Sequence, residues 1–145
     1  MNTIATPSAP AAIGPYSQGI VCNGFLYTSG QIPLVPESMA FLDGTIEEQT
    51  KRVLENLDAV LAVAGTSWKQ VVKTTVFMVD LADFGKMNAV YEQHLGNARP
   101  ARSTVQVAAL PRGAKIEIEL VGCVNRFDCS VTPVERDIDT VQSTM

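Results

Sequence analysis

Residues 71–79 constrain the fold of this chain more than any other segment. The segment is rich in β-favouring residues, and apolar side chains occur at both odd and even positions of the expected strand: Val71, Val72, Val76, Phe77, Met78 and Val79. Successive side chains of a strand point to opposite faces of a sheet. A run that is apolar at both parities therefore predicts a central strand whose two faces are both covered.

Two amphipathic helices flank this strand in the sequence. Thr45 and Glu48 have the spacing of a capping box, and helical apolar spacing then continues to a terminating Gly65. Asp83 can cap a second helix, whose apolar stripe ends before Gly96. The apolar positions are Ile46, Val53, Leu57, Val60, Leu61 and Ala64 in the first helix, and Phe84, Met87, Val90, Tyr91 and Leu95 in the second.

The remaining segments predict strands on either side of these helices. Asn23-Gly24 within residues 17–30 is a strong signal for a hairpin turn. Residues 102–108 and 115–124 predict two further strands, which we expect to pair as a hairpin. The element order ββ(β)αβαββ predicts an α+β fold. Two helices cover only one face of such a sheet, so we infer that an oligomer covers the other.

The chain has the length of one domain. Its 145 residues predict a single domain over residues 1–125. Residues 126–145 form a more polar C-terminal extension, in which Thr132-Pro133 followed by spaced apolar residues predicts a short helix.

Composition argues against several classes of function. The net charge of -4 makes binding to nucleic acid unfavourable. No basic leader precedes an apolar run and no span is long enough to cross a bilayer, so we expect a cytoplasmic protein without a membrane partner. One histidine and three cysteines without CxxC spacing indicate no metal site.

The polar faces of the last two strands mark a candidate ligand site. Strand alternation places Arg102 on the face opposite Ser103, Val105 and Val107, and Glu117 and Glu119 share a face of the next strand, opposite Ile116 and Ile118. We expect the apolar faces to meet the helices, which would place Arg102 and both glutamates together on the far side. The planar guanidinium of an arginine matches a carboxylate ligand. The pattern equally allows a structural ion pair between Arg102 and either glutamate.

Other polar positions carry weaker signals. Ser29-Gly30 follows a strand directly, where glycine permits close approach of a ligand or another chain. Residues 14–17 contain Tyr16 and predict either a ligand loop or, more simply, a rigid turn with a packed tyrosine. His94 lies beside the apolar stripe of the second helix without a paired nucleophile, so we interpret it as a surface or boundary histidine and not as a catalytic base.

Six sequence blocks together resemble the RidA family (YjgF, reactive intermediate or imine deaminases), in order and at matching spacing over residues 3–124. The blocks are AAIGPYSQG at 11–19, TSGQIP at 28–33, VKTTVF at 72–77, MNAVY at 87–91, RPARS at 99–103 and KIEIE at 115–119.

The resemblance implies a fold, an assembly and an activity. The fold would be chorismate-mutase-like, with a mixed β-sheet and two helices packed on one face, assembled as a homotrimer with ligand clefts between subunits. The activity would be 2-iminobutanoate/2-iminopropanoate deaminase: hydrolysis of enamine and imine intermediates of PLP-dependent dehydratases to 2-oxo acids and ammonia. The partner would be a small imino or oxo acid, and no cofactor would be required.

The resemblance also implies roles for individual residues. Arg102 would hold the substrate carboxylate, and Glu117 would orient and activate the attacking water. Tyr16 would be a further catalytic residue, and Ser29, Gly30 and Asn88 would bind the substrate together with Arg102. A simple hairpin register would bring Glu119 nearer to Arg102 than Glu117, so Glu119 remains the second choice for activating water.

Three departures from the family pattern stand out. Thr104 occupies a position where many members carry a reactive cysteine, residues 37–40 lack the usual glycine, and the tail beyond Asn125 exceeds the common length.

Two alternative functions remain open. The same scaffold could serve a non-catalytic carboxylate-binding or regulatory protein that retains the arginine. An RNA-directed translation inhibitor or endoribonuclease is the weakest alternative, because the chain is acidic and lacks a paired catalytic histidine and lysine.

Overall fold

The computed structural model describes residues 1–124 of the chain. Its strands and helices, in chain order, are β1 Asn2–Ile4, β2 Gly19–Cys22, β3 Phe25–Thr28, α1 Ile46–Val63, β4 Val71–Met78, α2 Phe84–Leu95, β5 Ala101–Gln106 and β6 Ile116–Cys123. Neither helix has the length and apolarity needed to cross a membrane within this described range. The predicted C-terminal extension, residues 126–145, lies outside the described residues.

All six strands form one mixed sheet in the order β1-β2-β3-β6-β4-β5. Strands β4 and β5 are parallel, and the other neighbouring pairs are antiparallel. A parallel pair needs a crossover connection, which α2 provides. The mixed α+β fold and the interior position of β4 are therefore confirmed. The expected hairpin between the last two strands is wrong, because β4 lies between β5 and β6.

Local turn and capping predictions correspond closely to the structure. Asn23 and Gly24 have φ angles of 51° and 79°, as a two-residue hairpin turn with positive φ at both positions requires. The Thr45 hydroxyl accepts from the Glu48 backbone N–H at 3.2 Å, and the Glu48 carboxylate accepts from the Thr45 N–H at 3.0 Å. Gly65, at φ 76°, follows the end of α1. All three signals depend only on residues that are neighbours in sequence.

Asp83 occupies the N-cap position of α2, but its side chain does not make the predicted capping hydrogen bond. The Asp80 carboxylate instead accepts from the Ala82 N–H at 2.9 Å and caps a short 3-10 turn that leads into α2. The start of α2 is therefore determined by this preceding turn.

Both helices pack on one face of the sheet. Helix α1 packs against α2 and β6, and the Thr74 hydroxyl of β4 is hydrogen-bonded at 2.8 Å to the Tyr91 hydroxyl of α2. The sheet residues buried beneath the helices include Leu26, Val71, Thr74, Val76, Met78, Ile116, Ile118 and Leu120. Burying each large apolar side chain contributes roughly 1.5–3 kcal/mol, so this face contains the core of the described chain.

The opposite face of the sheet is open and partly apolar. Phe25, Tyr27 and Val105 lie on it and are 37%, 48% and 41% exposed. A β-bulge between Val71 and Lys73 moves Val71 to the helix side. This shift explains in part why apolar residues occur at both odd and even positions of this strand. Phe77 remains on the open face and is partly exposed. Coverage of this face by other subunits remains a prediction.

Candidate active site

Glu117 places a carboxylate on the open face of the sheet. It lies on β6 between Ile116 and Ile118, which are fully buried on the helix side, so alternation turns Glu117 the other way. Partial burial removes water from its carboxylate and raises the pKa of Glu117, and the negative charge of Glu119 raises it further. Such a carboxyl takes up and releases protons closer to neutral pH than an ordinary glutamate.

The Gly30 backbone packs directly against the Glu117 carboxylate. Gln31 and Ile118 exchange backbone hydrogen bonds of 2.9 and 3.2 Å, which align the segment after β3 with β6. A Cβ atom added to Gly30 would lie 1.9 Å from Glu117 Oε1. No real Cβ contact is that short, so this close approach requires glycine.

Ser29 and Tyr16 lie beside this contact. The Ser29 hydroxyl donates to the Ser17 carbonyl, and its backbone N–H donates to the Gln18 carbonyl at 3.0 Å. Tyr16 follows a tight turn at Gly14 and is 54% exposed, so it is not the packed tyrosine of a purely structural turn. Both residues line the same cleft as Gly30 and Glu117.

The sequence did not identify Gln18 as part of this site. Gln18 is only 4% exposed, and its side-chain amide bonds the backbone of three residues of the N-terminal segment: Thr6, Ala9 and Pro10. Satisfied buried amides of this kind fix the path of a chain segment. A glutamine at the start of a strand is typical of an exposed position, so only the folded path of residues 6–10 reveals its role.

These residues enclose a cleft of about 560 Å³. Its wall is largely apolar, and its charged lining residues are Glu117 and Arg112. The aliphatic and proline residues of the lining are Pro10, Ala11, Ile13, Ile32, Leu34, Met39 and Pro111. A concave apolar cleft with a few polar groups, one of them with a shifted pKa, is typical of a small-molecule site.

Arg102 lies on the other face of the sheet, so the prediction that it shares a face with both glutamates is wrong. In β5 it pairs with Thr74, on the helix side. Its guanidinium carbon lies 4.8 Å from the Tyr91 ring centre and 5.4 Å from that of Phe84. The expectation failed because Val105, the neighbour assumed to face the helices, is on the open side of this edge strand.

Asn88 and Arg102 form a second polar group of residues. An Arg102 Nη1–H donates to Asn88 Oδ1 at 2.7 Å, and both residues line a shallow pocket beneath α2. Burial raises the pKa of Tyr91 beside them, partly offset by the Thr74 hydrogen bond and the charge of Arg102. Within residues 1–124, Arg102 forms no ion pair, so the structural pairing with Glu117 or Glu119 does not occur inside one chain.

The structure thus divides the candidate residues into two groups. Tyr16, Ser29, Gly30 and Glu117 meet in the cleft on the open face, whereas Asn88 and Arg102 lie on the helix face. Glu119 lines a separate small pocket with Lys73 and Thr75. Of the two glutamates considered for activating water, Glu117 is therefore the one in the cleft. Thr104, near Arg102 on β5, has a buried hydroxyl that lacks a hydrogen-bond partner within the described chain.

Known proteins are similar to this chain in sequence and in fold. The family model described as Endoribonuclease L-PSP matches residues 6–124. A RutC family protein of Synechocystis is 51% identical over 123 residues, which cover 83% of this chain and 95% of the relative. The human 2-iminobutanoate/2-iminopropanoate deaminase is 45% identical over 120 residues, covering 83% of this chain and 88% of that protein.

A solved structure shows the same fold. A protein of the conserved Rid family from Yersinia pestis superimposes with a TM-score of 0.83 at 47% sequence identity, covering 84% of this chain and 98% of that one.

Proposed function

Because this chain belongs to the Endoribonuclease L-PSP family, which includes the RidA/YjgF proteins, we propose that it hydrolyses 2-imino acids to 2-oxo acids and ammonia. The proposed substrates are 2-iminobutanoate and 2-iminopropanoate and their enamine forms, such as 2-aminoacrylate. The human relative that bears the name of this activity is 45% identical to the chain.

The Glu117 carboxylate in its cleft is the observation that carries this proposal. Imine hydrolysis needs a base that takes a proton from water and an acid that returns it to nitrogen. A carboxyl with a raised pKa, held against Gly30 in a largely apolar cleft, is suited to both steps. Such a reaction requires only water and proton transfer, so we propose no cofactor.

We further propose that Arg102 reaches this cleft from a neighbouring copy in a homotrimer. Inside one chain the sheet separates Arg102 from Glu117, so a single chain cannot offer both groups to one small substrate. Phe25, Tyr27 and Val105 leave an apolar surface on the face that bears the Glu117 cleft. Packing that surface against another copy would bury it and complete the site.

The proposed reaction proceeds by conversion of enamine to imine, addition of water and loss of ammonia. An enamine first becomes the imine by gaining a proton at carbon and losing one from nitrogen. Arg102 then binds the carboxylate through parallel hydrogen bonds, which fixes the imine carbon for attack. The oxygen of water bonds to that carbon, while Glu117 removes one proton and delivers it to the nitrogen. Finally the C–N bond breaks, the hydroxyl proton leaves for nitrogen, and ammonia and the 2-oxo acid form.

The endoribonuclease name of the family receives less support from this chain. Its single histidine is His94, whose Nε2 lies 2.9 Å from both carboxylate oxygens of Asp58. This contact links α2 to α1, outside the Glu117 cleft. The net charge of -4 also disfavours phosphate contacts. We therefore prefer a small-molecule substrate.

A subunit-complementation experiment tests both the activity and the shared site. Arg102→Ala and Glu117→Gln are each expected to abolish accelerated formation of 2-oxo acid from 2-aminoacrylate generated by a serine dehydratase. Coexpression of the two variants should restore activity. In a random equal mixture, about a quarter of the clefts combine an intact Arg102 with an intact Glu117 from the adjacent copy.

The controls separate the competing explanations. Each variant mixed with itself must stay inactive, and both must keep the wild-type oligomer size. Mixtures that stay inactive contradict the shared cleft, whereas an inactive wild type contradicts the deaminase proposal. If Glu117→Gln turned over substrate at the wild-type rate, the proposed role of Glu117 would also be refuted. Ligand affinity that persists in an inactive Glu117→Gln distinguishes lost catalysis from lost binding.

A further inference from the structure

Two strained residues meet at the cleft that contains Glu117. Within residues 1–124, the non-glycine residues with positive φ are Asn23, Met39 and Arg112, at 51°, 57° and 58°. Asn23 belongs to the β2–β3 turn, which requires this conformation. Met39 lies in the turn that Val35 closes by hydrogen bonds with Met39 and Ala40, and Arg112 lies in the 3-10 turn Pro111–Gly113 before β6. Each of these turns brings its left-handed residue to the wall of the cleft.

Met39 and Arg112 contact each other although 73 residues separate them in sequence. An Arg112 Nη1–H donates to the Met39 carbonyl at 3.1 Å, and the guanidinium carbon lies 6.0 Å from the centre of the Phe41 ring. Both Met39 and Arg112 line the Glu117 cleft. Arg112 thus fixes the loop that carries Met39 to the segment just before β6.

The cleft offers more apolar wall than the smallest imino acids can use. Ile13, Ile32 and Leu34 line it together with Met39. In a single chain its volume of about 560 Å³ lies within the range of pockets that enclose ligands far larger than a three-carbon acid. The free-energy gain from an apolar wall depends on the apolar area that a substrate brings to it.

We propose that Met39 and Arg112 form a specificity clasp, in which Met39 contacts the substrate side chain and Arg112 positions Met39. The clasp favours 2-imino acids with linear apolar side chains of several carbons over the imine of alanine. This inference rests on the proposed imine hydrolysis and adds the substrate class that the cleft prefers.

The test compares two imines produced in place by an amino-acid oxidase, one from norleucine and one from alanine. The measured quantity is the ratio of their kcat/KM values, from 2-oxo acid formation above the uncatalysed rate. Met39→Gly should lower this ratio about tenfold, because losing apolar contact in a pocket typically costs about 10- to 200-fold in discrimination. The alanine-derived imine should change by less than about threefold.

Arg112 variants test whether it acts through Met39. Arg112→Ala should lower the ratio as Met39→Gly does, and Arg112→Lys should keep most of it, because an ammonium can still donate to the Met39 carbonyl. In a Met39→Gly background, Arg112→Ala should have no further effect on the ratio, as expected for two residues that act as a unit. A further loss there would show that Arg112 contacts the substrate directly and would overturn its positioning role.

Asn23→Gly is the matched control. It also replaces a left-handed residue with glycine, but in the β2–β3 turn, so it should leave the ratio unchanged. If the wild type is active and Met39→Gly has the same ratio, the clasp is overturned but the proposed imine hydrolysis is not. An equal change in Asn23→Gly overturns it as well, because the effect would then be general. A wild type without imine hydrolysis overturns the proposed function itself.

Discussion

Replacing Gly30 with alanine should selectively damage the proposed chemistry. The added Cβ would lie 1.9 Å from Glu117 Oε1, 2.8 Å from its Cδ and 2.9 Å from its Cγ. Favourable carbon contacts lie at about 3.5–4.0 Å, so the carboxylate must retreat by more than about 1 Å. A misplacement of about 1 Å in a catalytic group can cost about 100-fold in rate. We therefore expect kcat for 2-aminoacrylate to fall about 100-fold, equivalent to about 2.7 kcal/mol of activation free energy.

The folded state should tolerate the same substitution much better. Glu117 is only partly buried, so its side chain can rotate into the cleft instead of forcing the strands apart. An off-rotamer side chain costs about 0.5–1.5 kcal/mol, which sets the expected loss in free energy of unfolding. The assay therefore pairs dehydratase-coupled 2-oxo acid formation with denaturant unfolding of the same samples.

Two other glycines supply matched controls for Gly30→Ala. A Cβ on Gly85, in α2, would have no neighbour within 4 Å. A Cβ on Gly44 would lie 2.2 Å from Glu48 Oε2, which creates the same kind of clash with the carboxylate that caps α1. Both alanine variants should keep full activity. Activity of Gly30→Ala within about threefold of wild type would refute the reasoning, because the position of Glu117 would then be unimportant.

Two further predictions concern pH and helix capping. Because the Glu119 charge contributes to the raised pKa of Glu117, Glu119→Gln should lower that pKa. The acid limb of the kcat/KM profile, where protonation removes the base, should then move to lower pH, and an unmoved limb would contradict the coupling. Thr45→Ala should lower the free energy of unfolding by about 1 kcal/mol without changing activity. Asp83→Ala, whose side chain makes no capping bond, should cost less in the same denaturant titration.

Much of the architecture followed from local sequence signals. The Asn23-Gly24 turn and the Thr45–Glu48 capping box were predictable, because each interaction joins residues only a few positions apart. The alternation of β6 likewise separated Glu117 from its buried neighbours. The β-bulge after Val71 shows where such patterns mislead, since one inserted residue changed which apolar side chains share a face.

The sequence by itself determined both helices, the β2–β3 hairpin, the cap of α1 and the strands β4, β5 and β6, but it did not predict β1 or the capping of α2. Tertiary structure alone decided that β4 separates β5 from β6. The registers of β4 with both neighbours, which pair Arg102 with Thr74 and Glu117 with Phe77, place Arg102 and Glu117 on opposite faces. It also brought Gln18 to residues 6–10, and Arg112 to Met39. Strand order and long-range contacts arise from packing between distant segments, whereas periodicity describes each segment only by itself.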